Sequence, residues 1–217
     1  MKYVQKRNRR RQPIWLPAAV LALLLTVCGV GIWKYLDSHA VPGEKSDVPD
    51  WVTQELLTVN DWSRPGTPLE EINGIVIHYV GNPGTSAQAN RNYFESLSAG
   101  TDGVYASAHF IVGLEGEILE CIPLSEIAYA SNTRNDDTIA IEVCHDDETG
   151  RFSPVTEASV VKLTAWLCTE FDLKPEQVIR HYDVTGKICP KYYVDHEDAW
   201  QDFLDQVDAR IQEGFED

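Results

Sequence analysis

The sequence predicts an α/β fold: a single domain with a central mixed β-sheet flanked by helices, preceded by one transmembrane helix. Three observations point there. Short apolar runs of strand type alternate with stretches of helical spacing from residue 74 to residue 211, the order expected of packed sheet-and-helix layers. No internal repeat interrupts that alternation. Ahead of it, Ile14 to Trp33 runs 20 residues without a charge and is rich in Leu, Val and Ala, long enough to cross a bilayer core as a helix.

The N-terminal elements follow from charge. Residues 1–13 carry Lys2, Lys6, Arg7, Arg9, Arg10 and Arg11 and no acid, so the excess of cations marks them as a basic cytoplasmic tail. Residues 14–34 form the transmembrane helix, with Pro17 near its start, where a helix tolerates proline. Everything after residue 36 then lies outside the membrane. The rival reading is a cleaved signal peptide and a secreted product. The apolar run is long for one, and Ser38-His39-Ala40 is only imperfectly similar to a small-x-small cleavage site. Val27 precedes Cys28 where a lipoprotein signal has a small residue. Residues 35–50 are polar, with Pro42, Gly43 and Pro49, and read as a linker.

Residues 51–217 form the exterior domain. Trp51, Leu56, Leu57, Val59 and Trp62 give its first segment enough apolar material to pack, and Ser63 to Gly66 is a turn signal. Residues 74–80 are apolar on both faces and predict a central strand. Gly81-Asn82-Pro83-Gly84 ends it, and a helix is expected over 86–97. Strands are expected over Ser107–Val112 and Glu117–Cys121, joined by a turn at 114–116, and over Thr138–Cys144. Ser153 before Pro154 is a helix cap followed by a first-turn proline. The helix it starts carries Val160, Val161, Leu163, Leu167 and Phe171 on one stripe. A short strand, Val178–Arg180, leads into His181. A last helix is marked by Trp200, Phe203, Leu204, Val207 and Ile211.

All 34 Asp and Glu lie after residue 36, against eleven Lys and Arg there, a net charge of −23 for the exterior part. Phosphate backbones would be repelled, which excludes nucleic acid as a partner. Of the five cysteines, Cys28 falls in the expected membrane span; Cys121, Cys144 and Cys168 read as small buried apolar residues, with one disulfide left open.

The chemistry concentrates in a few positions. His181 and Cys189 are separated by seven residues on one loop, and an imidazole and a thiolate so placed can reach one zinc ion. Two ligands do not fix a metal, and His78 in the first strand is the best third. Glu142 faces away from Ile139, Ile141 and Val143 on its strand. A carboxylate midway along an apolar strand is either paired with a base or functional. Singly, each residue has a plain reading: a hydrogen-bonded core histidine for His78, an inert thiol for Cys189, a solvated surface lysine for Lys187.

Together they resemble a known family. Gly74-Ile-Val-Ile-His78-Tyr79, Ser107-Ala-His109-Phe-Ile-Val112, Thr138-Ile-Ala-Ile-Glu142-Val-Cys144 and His181 to Pro190 resemble, in order, the zinc-dependent N-acetylmuramoyl-L-alanine amidases of the phage-endolysin and peptidoglycan-recognition-protein superfamily, often called amidase type 2. The resemblance covers about residues 70–205. Its most specific part is His-x7-Cys-Pro with Lys187 two before the cysteine. It implies one zinc ion per chain held by His78, His181 and Cys189. It implies Glu142 as the group that moves a proton from water to the leaving amine and Lys187 as the cation beside the developing oxyanion. Some phage members carry a tyrosine before the histidine of the second strand. Ala108 stands there, which sides this chain with the glutamate-bearing branch.

Further expectations are a substrate contact at His109, a substrate wall in loop 130–136 with Asn132 and Arg134, and orientation of a metal ligand by Asp183. The implied activity is hydrolysis of peptidoglycan at the amide joining N-acetylmuramic acid to L-alanine. A non-catalytic peptidoglycan-binding module and a zinc peptidase cutting within the stem peptide are the alternatives. The implied setting is the bacterial cell membrane, single-pass, with peptidoglycan as substrate and no obligate protein partner.

Overall fold

In a computed structural model the described residues are 43, 47–101 and 103–215. The expected cytoplasmic tail and transmembrane helix, most of the linker, and Cys28 lie outside them. Among the described residues no helix is long and apolar enough to cross a membrane.

The sheet has six strands: β1 (Thr53–Gln54), β2 (Gly74–Tyr79), β3 (Phe110–Val112), β4 (Ile118–Glu120), β5 (Thr138–Val143) and β6 (Val178–Arg180). Their spatial order is β1-β4-β3-β5-β2-β6. Only β3 and β4 run antiparallel; the other neighbours are parallel. The central pair, β2 and β5, is in register over six residues, from Gly74 opposite Thr138 to Tyr79 opposite Val143. Parallel central strands are covered on both faces, which is why both read as near-continuous apolar runs.

Alternation along the strands divides two cores. Ile75, Ile77, Phe110, Val112, Ile139, Ile141 and Val143 point to one side. They meet α2 (Pro154–Glu170) and α5 (Glu197–Glu213) through Val160, Leu163, Leu167, Phe203 and Val207. Ile111, Leu119, Ala140 and Cys144 point to the other side, under α1 (Ala87–Ser96) and its Phe94. Each fully buried aliphatic or aromatic side chain contributes about 1.5–3 kcal/mol. The cap expected at Ser153 forms, and Ser86 supplies a second one. Ser86 Oγ accepts from the Ala89 amide at 3.2 Å and Ser153 Oγ from the Thr156 amide at 3.3 Å, with Pro154 in the first turn. α2 buries more than a stripe, Thr164 and Trp166 included, because it packs on both the sheet and α5.

Several expected elements change. The strand expected from Ser107 begins at Phe110; before it, the Ser107 amide donates to the Tyr129 carbonyl and the His109 amide to the Ala140 carbonyl. β1 has only two residues, both exposed, and its pairing with β4 across 66 positions leaves no local pattern to read. Two five-residue helices, α3 (His181–Thr185) and α4 (Lys191–Asp195), were not expected. Cys121, Cys144, Cys168 and Cys189 are all free and buried, so the open disulfide does not form among the described residues.

Candidate metal centre and its cleft

The site lies where parallel strands end, the usual place for ligands in open α/β sheets. His78 and Glu142 are the penultimate residues of β2 and β5 and face each other in the register. β6 delivers His181 directly, as the first residue of α3. α3 stops at Gly186, whose φ of 76° is left-handed, a conformation glycine adopts at little cost. The chain then doubles back, and the Tyr182 amide donates to the Cys189 carbonyl at 2.9 Å. That bond closes the segment between the two predicted ligands.

His78, His181 and Cys189 come together, their ligand atoms within 4.8 Å of one another. The His78 and His181 ring centroids are 4.6 Å apart, and Cys189 Sγ lies 3.9 Å from His78 Nδ1. The far nitrogens are already engaged. His181 Nε2 donates to Asn132 Oδ1 at 2.8 Å, and His78 Nε2 lies 3.2 Å from Ser131 Oγ. A ring that donates through Nε2 keeps a lone pair on Nδ1 when neutral. His181 Nδ1 is buried and has no hydrogen-bond partner, the state of a nitrogen reserved for a ligand.

The electrostatics agree with a cation-binding trio. Burial holds His78 well below the ordinary histidine range, with His181 and Lys187 pushing the same way. Burial also lowers His181, again with Lys187. Both imidazoles are therefore neutral at pH 7, the form that binds metal. Burial pushes the Cys189 thiol up to about 12 and Glu142 adds to it, while a hydrogen bond from the Tyr79 backbone and the charge of Lys187 oppose the rise. A cation at the trio would deprotonate this thiol. Two neutral imidazoles and one buried sulfur with an unpaired Nδ1 fit a tetrahedral metal of zinc type.

Glu142 is half-buried, with Oε2 sealed from solvent and unpartnered. Among the described residues it forms no ion pair, so the structural salt bridge left open above is absent. Burial raises its carboxyl to about 8, and Lys187 partly counters the shift. Glu142 and the exposed Lys187 share with His78 and His181 a cleft of about 380 Å3. A larger hollow of about 560 Å3, between residues 146–154 and the helices α2 and α5, includes none of the trio.

The remaining expectations divide. Asn132 lines the cleft, but its carbonyl oxygen holds the His181 ring. Arg134 turns away, pairing with Asp137 at 2.6 Å, so it does not line the cleft. His109 is fully buried: its Nε2 donates to the Glu126 carbonyl at 2.9 Å and its Nδ1 accepts from the Ala140 amide at 3.0 Å. With both nitrogens committed to backbone it is a core residue, not a substrate contact. Asp183 does not orient a metal ligand, because its carboxylate is taken by Arg180 at 2.8–3.1 Å. Ser131 and Asn132 hold the imidazoles instead. Sequence reasoning missed the Ser131 role, and it missed Phe94, Tyr105 and Tyr129 as cleft walls; the polar run 130–136 was the one available signal.

Comparison with known proteins follows the same outline. The family model described as N-acetylmuramoyl-L-alanine amidase matches residues 68–192. The chain is similar to N-acetylmuramoyl-L-alanine amidase CwlL of Bacillus licheniformis, 32% identical over 172 residues, covering 74% of this chain and 47% of that protein. It is similar to N-acetylmuramoyl-L-alanine amidase BlyA of Bacillus subtilis strain 168, 32% identical over 180 residues, covering 73% and 47%. The chain thus spans about half the length of the curated relatives it matches. A solved mutant endolysin from Bacillus subtilis superposes with a TM-score of 0.61 at 25% identity, over 72% of this chain and 97% of that one.

Proposed function

The chain belongs to the N-acetylmuramoyl-L-alanine amidase family, and from that premise we propose that it is a zinc-dependent peptidoglycan hydrolase, cutting the amide between the lactyl group of N-acetylmuramic acid and the L-alanine of the stem peptide. One observation carries the reading: two neutral imidazoles and a buried thiol converge within 4.8 Å, and both imidazoles line the cleft that holds an unpaired carboxyl, Glu142.

His78, His181 and Cys189 would hold one zinc ion per chain, a set of three protein ligands of the kind catalytic zinc sites use. When bound, zinc supplies Lewis acidity, polarising the amide carbonyl and lowering the pKa of water at the site. The protein's own groups do the rest. An amide has a poor leaving group, so its nitrogen must be protonated as the bond breaks. Glu142, an unpaired carboxyl in the cleft, can carry a proton from the attacking water to that nitrogen. Lys187, on the cleft wall, sets a cation beside the oxygen on which negative charge develops. Ser131 and Asn132 fix the two imidazoles through their far nitrogens.

The same proposal sets the domain outside the cell membrane, with residues 14–34 as its anchor and residues 1–13 in the cytoplasm. Support comes from the 20-residue uncharged run, the basic residues before it and the net charge of −23 beyond it. An anchored hydrolase on that side faces its polymer substrate; cleavage of the segment would give a secreted enzyme instead.

Digestion of purified cell wall, with and without chelator, tests the activity. The expected products are glycan strands free of peptide and stem peptides with new L-alanine amino termini, both lost on chelation and restored by zinc. Intact disaccharide-peptides with internally cut stems would refute the amidase bond. Wall binding without any new amino termini would leave a binding module.

A further inference from the structure

We propose that Tyr105, backed by Trp62 and braced edge-on by Tyr129, offers its exposed ring as a stacking shelf for a pyranose ring of the glycan strand, so that the saccharide side of the substrate lies on the uncharged wall of the cleft. The proposal rests on the amidase reading and names the side of the site that takes the sugar.

Tyr105 is 57% exposed although it lines the cleft beside His78 and Glu142. Its ring lies 4.7 Å from that of Trp62 at 31° and 5.4 Å from that of Tyr129 at 82°. The three rings come from separate segments, and backbone bonds stitch those segments together. The Ala106 amide donates to the Trp62 carbonyl at 3.3 Å, and the Ser107 amide to the Tyr129 carbonyl at 3.1 Å. The buried Ser107 hydroxyl accepts from the Tyr129 amide at 2.9 Å. Gly100, with φ 68°, runs so close to the Trp62 indole that a Cβ there would sit 2.6 Å from Nε1. The shelf is therefore held in place before a ligand arrives, which lowers the ordering cost of binding.

Its chemistry suits a sugar better than the stem peptide. A pyranose presents an apolar C–H face and a rim of hydroxyl and acetamido groups. An exposed aromatic ring matches the face. The rim finds amide donors next to the rings: Asn135 Oδ1 is fixed by the Ala130 and Ser131 amides at 3.1 and 2.6 Å, and Asn132 Oδ1 by His181. Among the described residues, neither Nδ2 has a hydrogen-bond partner. Stem peptides carry carboxylates, and this wall offers them no cation. Among the described residues, Lys187 is the sole basic side chain lining the cleft besides the two ligand imidazoles, and it lies with Glu142 in the proposed catalytic set.

The test compares Tyr105→Ala and Tyr105→Phe, in the full chain with zinc, on two substrates: a disaccharide-tripeptide and the sugar-free D-lactoyl-L-alanyl-D-isoglutamine. For Tyr105→Ala we expect KM on the disaccharide substrate to rise about tenfold with kcat held, with no such change on the sugar-free one. Tyr105→Phe should retain wild-type KM because the ring does the stacking. Equal KM increases on both substrates, or none on the disaccharide, would overturn the shelf. Titration of Glu142→Gln with peptide-free glycan strands, with and without Tyr105→Ala, reads the shelf independently of hydrolysis. Affinity that depends on Tyr105 supports it, and affinity indifferent to Tyr105, or none, overturns it. Failure of wild-type protein to cut wall would sink the amidase reading alone; normal cutting with an indifferent Tyr105 would sink the shelf alone.

Discussion

His78 and Glu142 are cross-strand partners, opposite one another in the parallel ladder of β2 and β5. A proposed metal ligand and a proposed proton carrier are thus neighbours by register alone, on the face that also holds Ala140 and Cys144. Because side chains alternate with a period of two, both residues belong to that face together or not at all.

Replacing Glu142 by glutamine removes the titrating group and keeps its shape. Metal content and thermal stability should stay at wild-type values while turnover on purified wall falls about 10²–10⁴-fold. Near-normal turnover would assign the proton transfer elsewhere.

Cys189→Ser exchanges a thiol for a poorer, harder ligand. Zinc bound after dialysis against a weak chelator should drop to a small fraction of one per chain, read by mass spectrometry of the metal. Full zinc occupancy in this variant would contradict the trio.

Asn132 combines a left-handed backbone, φ 54°, with the hydrogen bond to His181 Nε2 at 2.8 Å. Asn132→Gly keeps the backbone unstrained and deletes the carboxamide. We expect a loss of zinc affinity of about 10–100-fold, measured by competition with a chromogenic chelator. If Asn132→Gly binds zinc as wild type does, the carboxamide is not orienting the ring.

His109 makes stability depend on pH. Burial lowers it from 6.5 to about 4, against a hydrogen bond to Glu126 that favours the charged form. Below pH 6.5 the unfolded chain takes up a proton that the folded chain refuses until pH nears 4. Stability is therefore full above 6.5 and falls as pH falls through that window, by about 3 kcal/mol in total from this residue. Urea unfolding of His109→Gln should show lower stability at pH 7.5 and a shallower decline between pH 6.5 and 4. Parallel pH curves for the two proteins would remove His109 as the source.

Protease added to intact cells should cleave segments after residue 36 and spare residues 1–13. Protection of the domain would invert the proposed orientation.

Much of this site could be read in the sequence because its parts follow local rules. The apolar runs around His78 and Glu142 mark central strands whatever they pair with, and Ser153-Pro154 announces a helix by short-range capping. His181 and Cys189 sit close enough for spacing to carry meaning. What could not be read depends on distant partners. His109 is settled by Glu126 and Ala140, Arg134 by Asp137, and Asp183 by Arg180. All three were polar residues near the right place, and the choice between substrate and structure was made by which group lay within hydrogen-bond reach. β1 shows the same limit: two exposed residues become a strand only because β4 lies alongside. The ring shelf joins Trp62, Tyr105 and Tyr129 from three loops that no periodicity connects.

The bond from the Tyr182 amide to the Cys189 carbonyl makes the nine residues from His181 to Cys189 a closed unit, turned by Gly186 and anchored at one end on β6. Such a unit is portable. It needs from its host a strand to lead in, one imidazole on the neighbouring strand and a polar partner for each far ring nitrogen, the part Ser131 and Asn132 play here, so grafting this segment onto another parallel sheet that offers these groups is a direct route to an engineered three-donor metal site.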